Sequence, residues 1–162
     1  MITCTFENGN SGKPGLRHVT TSVMVIKDGQ VLMGLRAAAA GLTMLEVGKW
    51  SLLGGFFDRD ENLVEAVKRE VMEESGWEIM DIQLFRIVDK PDRPHEDRQN
   101  MDMVFIARAD KKTGSHDREV KETKWFSLDA LPPMNQIAFD HGEDLLLYKK
   151  YLESNHPLPI LG

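Results

Sequence analysis

A chain of 162 residues with a 41% hydrophobic fraction suffices for one domain with a real core, and a net charge of −6 argues against unaided binding to nucleic acid or an anionic membrane surface. Cys4 is the only cysteine, which excludes an internal disulfide and fits a reducing compartment. With no basic and apolar leader at the N-terminus and no apolar run near the roughly 18 residues of a membrane span, a cytoplasmic protein without membrane contact is expected.

Residues 1–17 end in the turn-rich "ENGNSGKPG" and read as a flexible segment before a single domain over 18–162. "HVTTSVMVIKDGQVLMGLRA" is two apolar runs around Asp28-Gly29, a hairpin signal. "AAAAGLTMLEVGKW" reads as a loop with a fragment of helix. The spacing predicts a helix over 62–75, closed by Gly76 in a left-handed cap. "DIQLFRIV", "MDMVFIARA" and "EVKETKWFSL" read as strands, with the polar loop "DKPDRPHEDRQN" after the first. "GEDLLLYKKYLE" is a closing helix with Leu145, Leu146 and Tyr148 among its apolar residues. Strands punctuated by two helices predict an α/β layered domain with a mixed sheet.

The acids of the first helix are not placed as solvation alone would place them. On a wheel of about 100° per residue, Glu70 and Glu74 interleave with Leu63, Val67 and Val71 in the apolar stripe, and Ala66 and Glu73 lie just to the side. The opposite face carries Glu65, Lys68, Arg69, Met72 and Ser75, and Glu65 is spaced to pair with Arg69. Glu70, Glu73 and Glu74 form one cluster, where desolvated carboxylates repel and tend to protonate. A divalent cation removes both problems, and an all-oxygen set suits Mg²⁺ or Mn²⁺. From spacing alone, this cluster and a plain acidic surface patch remain alternatives. Gly54-Gly55 lets backbone approach a ligand closely and exposes carbonyls. Glu61 near the helix start is either a functional anion or a cap-region acid.

The full spacing runs Gly55, five residues, Glu61, seven residues, then Arg69-Glu70-Val71-Met72-Glu73-Glu74-Ser75-Gly76. This resembles the box of the Nudix (MutT-type) hydrolases, with Trp77 where the family usually has an aliphatic residue and Leu53 where many members have proline. "WFSLDALP" is also similar to the family. The resemblance implies an α/β/α sandwich around a mixed sheet, and Mg²⁺- or Mn²⁺-dependent hydrolysis of a small-molecule nucleoside diphosphate linked to another moiety. It implies Glu70, Glu74 and Glu73 as metal ligands, with the Gly54 carbonyl as a further one. Arg69, off that face, then orients carboxylates such as Glu61. Glu119 and Glu122 are candidates for a general base, with solvated strand residues as the alternative. Family members are often homodimers, though no feature of this sequence marks an interface.

Specificity lies outside the box. Arg93 and Arg98 are suited to grip a phosphate or a terminal ribose, and Phe139 to stack on a base or ribose. The bland readings are solvated arginines and a core phenylalanine. Ala138-Phe139-Asp140-His141 resembles a segment of small ADP-ribose pyrophosphatases, which favours ADP-ribose or a related nucleoside diphosphate sugar. Asp140 is more simply a helix N-cap, and His141 a helix-start residue. The alternatives are a (d)NTP pyrophosphohydrolase of the nucleotide pool and, in another class, a nucleotide sensor that does not cleave.

Overall fold

A computed structural model describes residues 17–38, 45–91, 100–154 and 156–162. The segment 1–16 and the candidates Arg93 and Arg98 lie outside the described residues, as do residues 39–44 of the "AAAAGLTMLEVGKW" run. The elements are β1 (Val19–Lys27), β2 (Gln30–Arg36), β3 (Trp50–Ser51), α1 (Leu63–Ser75), β4 (Trp77–Val88), β5 (Met101–Lys112), β6 (Val120–Ser127), a short 3-10 turn (Met134–Gln136), α2 (His141–Ser154) and β7 (Ile160–Leu161). The strands form one mixed sheet ordered β3-β2-β1-β5-β4-β7, with β6 paired to β2. β1 runs parallel to β5 and β4 to β7, and the remaining pairs are antiparallel.

The Asp28-Gly29 turn joins β1 to β2 through the pair Lys27 and Gln30, with φ of 49° and 74° at the two turn residues. Positive φ at both positions matches the strand twist, which is why Asp-Gly suits this turn. Alternation then assigns the two faces of the sheet. Val23, Val25 and Leu32 pack with Val67 and Val71 of α1. Met24, Val31 and Met33 pack on the other side with Leu145 and Tyr148 of α2. The sheet is thus sandwiched between the two helices, in the expected α/β/α layers. Leu146 of α2, in contrast, is exposed.

α1 starts one residue later than the spacing predicts, because Asn62 is its N-cap. The Asn62 side chain accepts from the Val64 and Glu65 amides, and Glu65 Oε2 accepts from the Asn62 amide. This reciprocal capping engages Glu65 at the helix start, while Arg69 bonds to other partners, so the expected Glu65–Arg69 pair is not the one the helix uses. Gly76 closes the helix with φ of 72°, as its position predicts. The chain then enters β4 at once, earlier than the expected Asp81 start. Trp77 packs edge-on against Trp125, with centroids 5.5 Å apart, and so belongs to the sheet.

Ser75 departs from the expected exposed face: it is fully buried, and its hydroxyl donates to the Val71 carbonyl at 2.5 Å. The β5–β6 connection explains this. The amides of Thr113 and Gly114 donate to the Gly76 carbonyl and that of Asp117 to the Glu73 carbonyl, so this loop lies across the end of α1. Its packing was invisible to a wheel that knows only one helix. Among the described residues, no helix is long and apolar enough to cross a membrane.

Candidate active site

Glu74 is buried by two neighbouring elements, and the glycine pair explains how. Gly54 has φ of +145° and lies against β1, where a Cβ would overlap the Thr21 carbonyl far inside the 3.0 Å limit of real contacts. Flanking bonds from Val23 N to Leu53 O and from Thr21 N to Gly55 O, each 2.8 Å, fasten the segment there. The Gly54 amide then donates to Glu74 Oε2 at 2.8 Å. Desolvation pushes the Glu74 carboxyl well above its ordinary range; the Gly54 amide and Arg36 oppose that shift, while Glu70 and Asp117 add to it.

Gly55 serves the next glutamate. A Cβ there would sit 2.7 Å from Glu70 Oε1, so only glycine leaves room for that carboxylate. Burial raises Glu70 to about 7; hydrogen bonding and charge from Arg69 oppose the shift, and Glu73 and Glu119 reinforce it. Desolvation therefore outweighs a direct bond to an arginine. Glu70 is thus poised between charge states near neutral pH, unlike an ordinary surface acid.

Arg69 is the hub of Glu61, Glu70 and Glu73. Its Nε and Nη2 donate to both oxygens of Glu61 at 3.0 and 2.7 Å, a two-point grip. Nη1 reaches Glu70 Oε1 at 2.8 Å and Glu73 Oε2 at 3.2 Å. Nη2 also donates to the Phe56 carbonyl at 3.2 Å, which ties the loop to the helix. Arg69 holds Glu61 below its ordinary pKa, so Glu61 is a fixed anion rather than only a cap-region acid. An ammonium cannot reproduce this fork. Arg69→Lys should lower kcat roughly tenfold or more, as loss of a ligand-orienting group does. Steady-state kinetics beside a melting curve checks this; a kcat equal to wild type would show that the fork orients nothing that matters.

Among the described residues, no three carboxylate, imidazole or thiolate side chains already converge as a ready metal shell. The reason is visible: Arg69 bridges Glu70 and Glu73, and Glu74 rests on the Gly54 amide. The donor set nonetheless suits a hard divalent ion. Glu70 and Glu74 offer carboxylate oxygens whose charge is disfavoured by burial, and a cation there would relieve that. The bond seen at Gly54 uses its amide, not its carbonyl.

The remaining sequence candidates separate. Glu119 is brought close enough to raise Glu70, by the loop that crosses α1. Glu122 is exposed on β6, opposite Leu35 of β2. Phe139 has φ of 54°, packs against His141 at 5.4 Å and carries the Arg36 guanidinium 4.9 Å over its ring. The Asp140 carbonyl accepts from the Glu143 amide at 2.9 Å, at the start of α2. His141 is more than a helix-start residue: it is buried, with Nδ1 accepting from the Leu52 amide. Two charged residues near Glu74 escaped the sequence reading, Arg36 and Asp117. Arg36 ends β2 and Asp117 sits in the crossing loop, and only tertiary packing brings either to the helix.

The model of the NUDIX domain matches residues 16–145 of this chain. The chain is 31% identical over 121 residues to an oxidized purine nucleoside triphosphate hydrolase of Danio rerio, covering 74% of this chain and 72% of that protein. It is 31% identical over 114 residues to the NAD-capped RNA hydrolase NudC of Pseudomonas aeruginosa, covering 69% of this chain but only 40% of that protein. A solved ADP-ribose pyrophosphatase of Streptococcus suis has the same fold, with a TM-score of 0.70 at 23% identity over 91% of this chain and 100% of that one. With the glycine pair, the arginine hub and the buried glutamates in place, the chain belongs to the NUDIX family and is a pyrophosphohydrolase of nucleotide derivatives.

Proposed function

We propose that the chain hydrolyses the diphosphate bond of ADP-ribose or a related nucleoside diphosphate sugar. The observation that carries the chemistry is the buried carboxylate of Glu74 beside the half-buried one of Glu70, next to a fixed Arg69–Glu61 ion pair. Glu70 and Glu74 hold the divalent ion, with Glu73 at the edge of the cluster. Bound there, Mg²⁺ or Mn²⁺ supplies positive charge to the diphosphate and a water of lowered pKa. Arg69 keeps the carboxylates aimed, and Glu119 is the proton acceptor at the rim. Arg36 and Phe139 suit the part of the ligand beyond the diphosphate, because a guanidinium fork and an aromatic face lie together within electrostatic reach of Glu74.

A second reading is hydrolysis of an oxidised or ordinary (d)NTP. The likeness to the Danio rerio hydrolase favours it. Both substrates share a 5′-diphosphate on a nucleoside, so the site distinguishes them through the base, the sugar and the group beyond the diphosphate. The deciding experiment is kcat/KM for ADP-ribose against dGTP, with Mg²⁺, in wild type and in Phe139→Ala, Arg93→Ala and Arg98→Ala. ADP-ribose is expected to be preferred, and Phe139→Ala to narrow the preference. A strong wild-type preference for dGTP would replace the first reading with the second.

A further inference from the structure

A buried histidine outside the proposed chemistry calls for a reason. His141 is 6% exposed and lies on the α2 side of the sheet, away from the glutamates. Its Nδ1 accepts from the Leu52 amide at 3.0 Å. An amide only donates, so Nδ1 is the unprotonated nitrogen and the ring proton sits on Nε2. Nε2 lies 3.4 Å from Ser22 Oγ, and the Ser22 hydroxyl donates to Asp102 Oδ2 at 2.7 Å. Thr20 Oγ1 donates to the other oxygen of Asp102 at 2.9 Å. The imidazole is thereby fixed in tautomer and orientation by two central strands.

What it holds is the approach to the glycine pair. The chain before α2 pairs with β3 through an Ala138 amide donating to the Trp50 carbonyl at 2.7 Å, and Trp50 and Ile137 form a parallel bridge. Phe139, with φ of 54°, then turns the backbone away. The His141 side chain takes over the ladder, giving the Leu52 amide the acceptor that a continuing strand would have given. Two residues later the Gly54 amide holds Glu74. Leu52 thus sits between a fixed imidazole and the backbone that positions Glu74.

We propose that His141 is a positioning residue for the pyrophosphohydrolase site: through Leu52 it sets the register of the Leu52–Gly55 segment, and so the place of the Glu74 carboxylate. This rests on the proposed roles of Glu70 and Glu74 but not on which substrate they serve. The histidine also joins the segment that carries Phe139 to the segment that carries Gly54, so the distal and the diphosphate halves of the site share one fastening.

Two variants divide the imidazole in half. His141→Asn keeps an acceptor near the Nδ1 position, while His141→Gln offers its amide near Nε2 and leaves Leu52 unpaired. In the full-length protein, amide hydrogen exchange at Leu52 and Gly54, Mn²⁺ affinity, and kcat and KM for ADP-ribose are read together. The expected result for His141→Gln is exchange faster by roughly tenfold at both amides, weaker Mn²⁺ binding and kcat down roughly tenfold with KM within about twofold. His141→Asn should restore protection and kcat to within about twofold of wild type. Equal behaviour of the two variants, or wild-type exchange in His141→Gln, overturns the proposal. Should His141→Gln not fold, Ser22→Ala decides: faster exchange at Leu52 supports the fastening and unchanged exchange overturns it. A wild type that turns over neither ADP-ribose nor dGTP would refute the proposed function, while exchange at Gly54 would still decide the role of His141.

Discussion

Glu74→Gln should lower kcat by roughly 10²-fold or more and leave the protein folded. Glutamine keeps the shape, and its side-chain oxygen still accepts from the Gly54 amide, so the loop stays where it is. What disappears is a negative charge that burial already disfavours. Glu70→Gln should behave alike. The control is Glu65→Gln, because Glu65 only caps the Asn62 amide and glutamine serves that bond equally well. A Glu65→Gln loss as large as that of Glu74→Gln would contradict the assignment of the two helix faces.

The same burial predicts a pH dependence of stability in metal-free protein. The folded-state pKa of Glu70, about 7, lies above its ordinary 4.5, so between those values the folded state holds a proton that the unfolded state has lost. Stability from this group is fully present below pH 4.5 and falls as pH rises through about 7. Glu74 shifts in the same direction. Melting temperature without metal should therefore fall from pH 5.5 to pH 8 by an amount that Glu74→Gln reduces. Asp144, raised by burial to about 7 on the opposite side of the sheet, adds a slope of the same sign that the variant leaves untouched. An unchanged slope in Glu74→Gln would mean that Glu74 ionises as freely as a surface acid.

Gly54→Ala carries the second large effect, and it is structural. The added methyl would collide with the Thr21 carbonyl and the Ser22 Cα, both backbone, at a φ that side chains rarely adopt. Backbone cannot step aside as a flexible side chain does, and the site sits between Val23–Leu53 and Thr21–Gly55 bonds. A cost of several kcal/mol is expected, on the order of the stability of a domain, so the variant should express poorly or melt far below wild type. Gly55→Ala is the milder companion. Its methyl meets the Glu70 carboxylate, which can move, so activity should fall with a smaller change in melting temperature. A Gly54→Ala protein as stable as wild type would show that the loop does not press on β1.

Much of this was legible in the sequence where the determinant is local. The Asp28-Gly29 hairpin follows from turn chemistry, and α1 with its Gly76 cap from period and capping residues. Placing Glu70 and Glu74 in the apolar stripe needed only a wheel. What failed to show is what other segments bring. Ser75 is buried by a loop some 40 residues away, a neighbour no wheel contains. Arg69 turned from its i,i+4 partner Glu65 to Glu61, because Glu65 was already used by the N-cap. The glycines were read as room for a ligand, and the room is needed first for Thr21 and for Glu70. Arg36 and Asp117 come from separate segments and act on Glu74 only through tertiary packing, as His141 reaches Leu52.

The central claim is that Glu70 and Glu74 bind the divalent ion on which diphosphate hydrolysis depends. Its most direct test is turnover of ADP-ribose and dGTP by the wild-type chain with Mg²⁺, then after excess chelator, then with Mg²⁺ restored. Release of phosphorylated products should stop on chelation and return with the metal, and Glu74→Gln should fail to recover the wild-type rate at any Mg²⁺ concentration. Undiminished turnover in excess chelator, or full recovery by Glu74→Gln, would contradict it.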